Sequence, residues 1–312
     1  MKRVLVTGAS GFVGRNVLHL LLARGFEVHA VTSKQIPSGA RQIFWHSGEL
    51  LNAAAARKLV RDIAPTHLLH LAWYVQPGRF WTDPSNVEWV AASIHLVHAF
   101  VENAGKRFVV AGTCAEYDWH SGRCFEQTTA RVPRTLYGVS KNALFDLLLA
   151  YARQRGTSFG WGRIFNLYGP GEYHSRLVPA VIMALLKKQP AKCSYGQQVR
   201  DFLHVEDVAR AFVMLLDSQV EGAVNIASGC DVKVADVVLE IARQLGSESL
   251  VQFGVVESGP NDPPEVVADA SRLKNEVGWL QQYSLERGLE RTIQWWREHL
   301  RADPRGSSLV AD

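Results

Sequence analysis

The 312-residue sequence has few cysteines, no long hydrophobic run and little excess charge of either sign. Its four cysteines show no C-x-x-C spacing, which argues against structural zinc and fits a reducing compartment better than a secreted scaffold. The apolar runs are too short for a signal peptide or a spanning helix. The net charge of +4 is spread along the chain. These absences predict a soluble, cytoplasmic protein with no metal site that binds neither nucleic acid nor membrane.

The first half of the chain alternates between short β-rich runs and stretches with helical apolar spacing. The predicted strands are 4–6, 28–32, 43–45, 67–71, 107–111 and 159–165. The predicted helices are 16–24, 53–63, 88–103 and 140–155. This alternation predicts an α/β fold in which helices cover both faces of a doubly wound parallel sheet.

After about residue 166 the sequence pattern changes, because proline becomes more frequent and glycine and proline cluster, as at Gly169-Pro170-Gly171. Helices are predicted over 177–188, 205–216 and 234–245, and a last helix spans 285–300. The last helix carries apolar residues at helical spacing, so we interpret its Trp295–Trp296 pair as packing rather than as a ligand cage.

A glycine-containing loop directly follows the first predicted strand and opens the first helix. Its glycines stand at positions 8, 11 and 14. Such a loop turns tightly, brings backbone close to a pyrophosphate and packs helix against strand, while the helix start favours the anion. The loop predicts a dinucleotide site. Its contact residues are Gly8, Ser10, Gly11, Phe12, Val13 and Gly14.

Three residues, Thr113, Tyr137 and Lys141, resemble the catalytic set of the short-chain dehydrogenase/reductase superfamily, which is a tyrosine and a lysine four positions apart with an upstream serine or threonine. Tyr137 and Lys141 lie four positions apart at the start of a predicted helix, where they share a face. Thr113 lies 24 positions before Tyr137, just after a predicted strand. A hydride added to a carbonyl leaves an alkoxide that needs a proton, which a tyrosine beside an ammonium group can donate. The threonine hydroxyl would orient the reacting oxygen.

These motifs resemble the extended branch of the short-chain dehydrogenase/reductase superfamily, which contains nucleotide-sugar epimerases, dehydratases and ketoreductases. The G-x-x-G-x-x-G and Tyr-x-x-x-Lys spacings carry the resemblance, as do segments 70–72, 110–117, 163–170 and 200–207. The resemblance implies a doubly wound parallel Rossmann sheet with a smaller mixed α/β C-terminal substrate domain. Residues 1–165 would bind NAD(P), with a return segment near 200–228, and residues 166–312 would mainly bind substrate.

The same resemblance implies further site residues. Those expected at the cofactor, besides the loop, Tyr137 and Lys141, are Glu49, Leu50, Leu71, Ala72, Trp73 and Phe165. Those expected at a nucleotide-diphosphate sugar are Thr113, Asn166, Leu177, Val178 and Arg200, with the arginine on the phosphates. We interpret Asp201, His204 and Asp207 as structural. In the family, helices like those predicted at 88–103 and 140–155 form a homodimer interface.

The end of the second predicted strand indicates which dinucleotide is bound. Relatives that prefer NAD have an acid there for the ribose hydroxyls. Here the strand ends Thr32-Ser33-Lys34, groups suited to a 2′-phosphate, and Arg41 is a further candidate. The sequence therefore favours NADP(H), with NAD(H) as the alternative.

Departures from the family pattern reduce the number of reactions that this chain is expected to catalyse. Dehydratases carry an acid pair where this chain has Cys114 and Ala115, and Glu116 is expected to face the other side of a strand. Trp73 should narrow the site, and Glu257 and Ser258 stand where relatives have a second phosphate-binding arginine. The favoured function is an NADPH-dependent ketoreductase of a nucleotide-diphosphate 4-keto-6-deoxyhexose. The alternatives are a 4-epimerase with tightly held NAD and, remotely, a non-catalytic dinucleotide sensor, against which the Tyr–Lys pair argues.

Overall fold

The computed structural model describes residues 2–36, 42–257 and 262–302. The helices within these ranges are α1 (Gly14–Ala23), α2 (Ala53–Ile63), α3 (Ser85–Glu102), α4 (Leu136–Arg155), α5 (Leu177–Leu186), α6 (Val205–Leu216), α7 (Val234–Leu245), α8 (Ser271–Asn275) and α9 (Leu285–Ala302). The strands are β1 (Lys2–Thr7), β2 (Phe26–Thr32), β3 (Ile43–Ser47), β4 (His67–His70), β5 (Arg107–Thr113), β6 (Arg123–Cys124), β7 (Ser158–Ile164), β8 (Asn166–Tyr168), β9 (Ala191–Lys192), β10 (Val199–Arg200), β11 (Phe202–His204), β12 (Gly222–Ile226), β13 (Val232–Lys233), β14 (Val251–Gln252) and β15 (Glu265–Ala268).

A seven-stranded parallel sheet, as the alternating pattern predicted, contains six strands from residues 2–164 and one later strand, β12. Its strand order is β12-β7-β5-β4-β1-β2-β3, and each neighbouring pair is parallel. The chain winds outwards from β1 in both directions, so the order reverses between β1 and β4. In such sheets ligands bind at this reversal, beyond the carboxyl ends of the strands.

Alternate side chains of β1 enter two different hydrophobic cores. Val4 and Val6 pack in one core with Leu21 of α1 and Phe212 of α6, and all four are 0% exposed. Leu5 points to the opposite face, into the core that contains side chains of α2, α3 and α4. Burial on both faces explains why the three consecutive residues Val4, Leu5 and Val6 are all apolar.

A third core lies among α5, α7 and α9. Ile182, Ile241, Leu289 and Ile293 contribute to it, and Trp296 is 0% exposed within it. The packing interpretation of the C-terminal tryptophan pair is thus confirmed for Trp296. Among the helices that the structure describes, none combines the length and hydropathy needed to cross a membrane.

A side-chain cap explains why one helix begins earlier than the apolar spacing predicted. Thr135 Oγ1 accepts a hydrogen bond from Gly138 N at 3.1 Å, so α4 begins at Leu136 rather than at residue 140. Helix α3 also begins earlier, at Ser85 rather than at residue 88, although its N-cap residue, Pro84, provides no side-chain cap. The cap on α4 places Tyr137 in its first turn.

Candidate active site

The glycine loop between β1 and α1 is built so closely that side chains are excluded at two of its positions. Gly8 has φ +67°, and a Cβ there would lie 2.8 Å from Ala72 N. A Cβ at Gly14 would lie 2.0 Å from the Gly8 carbonyl oxygen. Helix α1 then begins at Gly14 with no side-chain cap from Val13. Backbone N–H groups at an uncapped helix start can receive phosphate oxygens, so the loop fits a dinucleotide pyrophosphate.

The residues predicted for a 2′-phosphate lie together beside this loop. Thr32 Oγ1 is 2.9 Å from Ser10 Oγ and accepts a hydrogen bond from Lys34 N at 3.0 Å. Ser33 and Lys34 are exposed at the end of β2. Gly48 N donates to the Thr32 carbonyl oxygen at 3.1 Å, which brings the segment containing Glu49 and Leu50 alongside. The further candidate, Arg41, lies outside the described residues.

Thr113 and Tyr137 meet where β5 ends and α4 begins. Tyr137 is 8% exposed, and burial raises the pKa of its phenol above the ordinary value, while a hydrogen bond with Thr113 lowers that pKa. Tyr137 N also donates to the Trp81 carbonyl oxygen at 3.1 Å, which ties the start of α4 to the loop after β4. The pair can orient a substrate oxygen and exchange a proton with it.

Lys141 lies one turn further along α4 with its ammonium directed at the β5 backbone. Nζ donates to the Ala111 carbonyl oxygen at 2.8 Å and lies 3.6 Å from the centre of the Trp73 ring. Burial lowers the pKa of Lys141 to about 7, and the Glu116 carboxylate opposes this change. The described contacts of the ammonium are therefore with Ala111 and Trp73, whereas the sequence led us to expect it near the phenol.

Glu116 does not continue a strand and face away from the site, so that expectation was wrong. The chain leaves β5 at Thr113 and forms a 3-10 turn over Cys114–Glu116, which carries the carboxylate back beneath the site. Glu116 accepts hydrogen bonds from Thr113 N at 2.9 Å, Trp161 Nε1 at 2.9 Å and Arg163 Nε at 2.7 Å. It is 0% exposed. The carboxylate is thus committed to holding Thr113 and pairing with Arg163.

An aromatic wall made of Phe80, Trp81 and Trp119 lies around Tyr137, and none of these three residues was predicted for the site. The ring centres of Phe80 and Trp81 lie 4.9 Å and 5.8 Å from that of Tyr137. Trp119 meets Trp81 edge-on at 6.1 Å. The density of aromatic residues between positions 73 and 81 was the available signal. The wall makes the surroundings of the phenol largely apolar.

The strand-four motif packs against the glycine loop through a neutral histidine. His70 Nδ1 lies 2.6 Å from Thr7 Oγ1, and Nε2 lies 2.8 Å from Ser93 Oγ. Burial lowers the pKa of His70 to about 3. The following residue, Leu71, donates its N–H to the Thr7 carbonyl oxygen at 3.2 Å, and Ala72 N contacts Thr7 Oγ1 at 3.3 Å.

The predicted substrate residues are divided between the sheet edge and the C-terminal half. Asn166 begins β8, directly after the buried Phe165. Leu177 lines a cavity of about 360 Å³ with Cys193 and Asp262. The neighbouring Val178, only 2% exposed, contributes to the core of α5 instead.

Arg200 already has protein partners. Its Nη2 pairs with Asp262 Oδ1 at 2.5 Å and donates to the Pro263 carbonyl oxygen at 2.7 Å. The side chain is 10% exposed, and Asp262 lies on the wall of the cavity. Arg200 is therefore linked to this cavity through Asp262, a carboxylate that a phosphate on the arginine would have to displace.

The acidic residues and the histidine interpreted as structural do bind backbone. Asp201 accepts from the N–H groups of Ser228 and Gly229 at 2.8 Å and 2.9 Å. His204 accepts from Glu206 N and caps α6, and Asp207 accepts from the N–H groups of residues 282 and 283. These contacts match the interpretation.

Comparison with known proteins gives consistent results. The NAD dependent epimerase/dehydratase family matches residues 4–227. The CDP-abequose synthase of Salmonella typhimurium is 28% identical over 306 residues, covering 93% of this chain and 97% of that protein. The UDP-glucose 4-epimerase of Thermus thermophilus, solved with NAD, is 25% identical with a TM-score of 0.82, covering 95% of this chain and 99% of that one. MoeE5, solved with UDP-glucose and NAD, is 30% identical with a TM-score of 0.80, covering 96% and 99%. This chain is therefore a member of the NAD-dependent epimerase/dehydratase family, the extended short-chain dehydrogenases/reductases that act as enzymes on nucleotide sugars.

Proposed function

We propose that this enzyme is an NADPH-dependent ketoreductase that reduces a nucleotide-diphosphate 4-keto-6-deoxyhexose to the alcohol. The observation that carries the proposal is the Thr113–Tyr137 pair beside a carboxylate that cannot serve elimination. Cys114 and Ala115 replace the acid pair of the dehydratases, and Glu116 is bound to Arg163. Proton transfer to a carbonyl oxygen remains available, while acid–base elimination of water lacks its groups.

The chain's own residues supply the proton and the orientation. Bound NADPH would supply the hydride, which adds to the carbonyl carbon. Thr113 would hold the carbonyl oxygen by a hydrogen bond, and Tyr137 would donate its phenolic proton to that oxygen as the alcohol forms. Lys141 would hold the nicotinamide ribose. Run in reverse, the same tyrosine accepts the proton.

The preference for NADP rests on the end of β2. The Ser10 and Thr32 hydroxyls are in contact there, the exposed residues Ser33 and Lys34 follow, and no carboxylate follows the strand in sequence. A 2′-phosphate needs hydrogen-bond donors and positive charge, whereas an acid at this position would repel it.

The preference for a deoxysugar rests on the aromatic wall. Trp81 and Trp119 are half-buried, so part of each indole remains available to a ligand beside Tyr137. Apolar rings favour a methyl group over a hydroxymethyl group, which would lose hydrogen bonds to water there. The nucleotide diphosphate would lie between the start of α5 and Arg200, and would replace Asp262 as the arginine's partner.

A 4-epimerase that retains NAD is the second candidate. Two similar proteins were solved with NAD, the Thermus thermophilus UDP-glucose 4-epimerase and MoeE5. An epimerase withdraws and returns a hydride at one carbon, and it would use the same threonine and tyrosine. The two candidates differ in whether the dinucleotide must leave after each turnover.

We also propose that the enzyme is a cytoplasmic homodimer. Two apolar side chains on α4, Val139 and Leu147, are each 47% exposed, and contact with a second copy through this helix would remove them from water. Sedimentation equilibrium of the purified protein measures the oligomeric state.

One preparation decides between the two enzymatic candidates. The purified protein is denatured, and any released dinucleotide is identified by mass spectrometry. We expect little retained NAD, tighter binding of NADPH than of NADH, and NADPH oxidation when nucleotide-linked 4-keto-6-deoxyhexoses are added. Tyr137→Phe is the matched control, because it should still bind NADPH but turn over at least a hundredfold more slowly. Near-stoichiometric NAD, with interconversion of 4-epimers, would establish the epimerase instead.

A further inference from the structure

We propose that Trp73 is a positioning residue for Lys141, and that its indole ring holds the lysine side chain in its protonated form against β5. The inference rests on the proposed function, since the ammonium matters there for binding the nicotinamide ribose. The contact itself is a property of the protein alone. Nζ lies 3.6 Å from the ring centre, a distance at which the negative face of an indole attracts a cation.

The ring is held in place by a second residue. Trp73 Nε1 donates to Asn86 Oδ1 at 2.8 Å, and Asn86 is 0% exposed in the first turn of α3. Asn86 Nδ2 in turn donates to the carbonyl oxygens of Phe80 and Asp83, each at 2.8 Å. The indole is therefore fixed by the same amide that orders the loop carrying Phe80 and Trp81. A freely rotating side chain would not keep one face on the ammonium.

Besides the Trp73 ring, the described groups that face the Lys141 ammonium come from β5, from the turn after it, from β4 and from α4 itself. From β5 the ammonium meets the Ala111 carbonyl oxygen, and from the following turn the Glu116 carboxylate favours its charge. From β4 it faces His70, whose pKa is lowered to about 3 by burial and by the Lys141 charge, so that this imidazole is neutral above about pH 3. Tyr137 precedes it on α4 as an un-ionised phenol. Glu116 is already paired with Arg163, whereas Lys141 is the cation in contact with the Trp73 ring among the described residues.

Removing the ring should make Lys141 lose its proton at lower pH. A buried cation–π contact corresponds to a fall of about one pKa unit when it is lost. Starting from a pKa of about 7, the protonated fraction would fall about tenfold at pH 8 but only about twofold at pH 6. A purely structural role would instead reduce activity by the same factor at both pH values.

The test uses the intact protein and needs no substrate. Isotope-labelled lysine is incorporated, the Cε resonance of Lys141 is assigned by its loss in Lys141→Ala, and its titration is followed by NMR. We expect the midpoint to fall by about one unit in Trp73→Leu and by less in Trp73→Phe, which keeps a weaker aromatic face. Trp89→Leu is the matched control, because Trp89 lies 6.1 Å from Trp73 and the described contacts of the ammonium do not include it.

The outcomes separate this inference from the proposed function. Lys141 midpoints that agree within about 0.2 units in wild type, Trp73→Leu and Trp73→Phe would overturn the role of Trp73, even if ketoreductase activity is found. A shifted midpoint with no reduction of any 4-keto sugar would leave the role standing and overturn the function. If Trp73→Leu does not fold, Trp73→Phe alone must lower the midpoint by more than Trp89→Leu does. A smaller or equal change would refute the inference.

Discussion

Replacing Glu116 by alanine should lower the free energy of unfolding by about 3–5 kcal/mol. The Glu116–Arg163 pair is 2.7 Å long, and its side chains are 0% and 1% exposed, so the variant leaves a charged guanidinium buried without its carboxylate. Thr113 N and Trp161 Nε1 lose their acceptor as well, at about 1–3 kcal/mol for each donor left unpaired. Neighbouring losses are not additive, so we expect the range known for broken buried pairs rather than the sum.

A second ion pair of equal length isolates the effect of burial. Arg155 and Glu102 are also 2.7 Å apart, but their side chains are 44% and 46% exposed. Glu102→Ala should therefore change stability by no more than about 1 kcal/mol. Urea denaturation followed by circular dichroism measures both variants, provided that the dependence on denaturant is unchanged. A Glu116→Ala loss no larger than that of Glu102→Ala would refute the argument.

Three further predictions concern the cofactor, the substrate and pH. Lys34→Ala should weaken NADPH binding about tenfold and NADH binding little, with Lys58→Ala in α2 as the exposed-lysine control; equal losses for both cofactors would contradict a 2′-phosphate site. Arg200→Ala should raise KM for a nucleotide-linked substrate about tenfold with little change in kcat, and an unchanged KM would show that no phosphate binds there. Because the pKa of His70 is lowered to about 3, its contribution to stability is complete above about pH 6.5 and is lost as pH falls. His70→Asn should therefore reduce the slope of the unfolding free energy against pH by up to about 1.4 kcal/mol per pH unit between about pH 3 and pH 6.5. Urea denaturation at several pH values measures this slope, and a slope equal to that of the wild type would count against the prediction.

Local signals predicted several elements to the residue, because the sequence carries their end markers. Asn52 caps α2 by accepting from the N–H groups of residues 54 and 55, and α2 spans 53–63 as predicted. Gly246 has φ +56° and ends α7 where its apolar spacing stops. The glycine loop could be predicted equally well, because its glycine spacing depends on contacts within one strand, one turn and one helix.

The remaining parts of the site depend on contacts between distant positions. The expectation for Glu116 extended the two-residue period of a strand past Thr113, but Thr113 caps a 3-10 turn and the alternation ends there. The partner of Arg200 is 62 positions away in sequence, beside a proline-rich segment whose residues 258–261 lie outside the described ranges. A pattern of neighbouring residues in the sequence predicts neither the turn after Thr113 nor the contact between the segments of Arg200 and Asp262.

The dinucleotide loop and the aromatic wall differ in how many amino-acid substitutions they can tolerate. A side chain at Gly14 would place a Cβ 2.0 Å from a backbone oxygen, so the dinucleotide loop cannot vary without moving α1. Trp81 and Trp119 are only half-buried and meet edge-on, so other side chains can replace them at smaller cost to the fold. Specificity in this enzyme should therefore reside mainly in the aromatic wall. A substrate search should vary the group at C6 of the sugar first, because that is the change the wall is expected to detect.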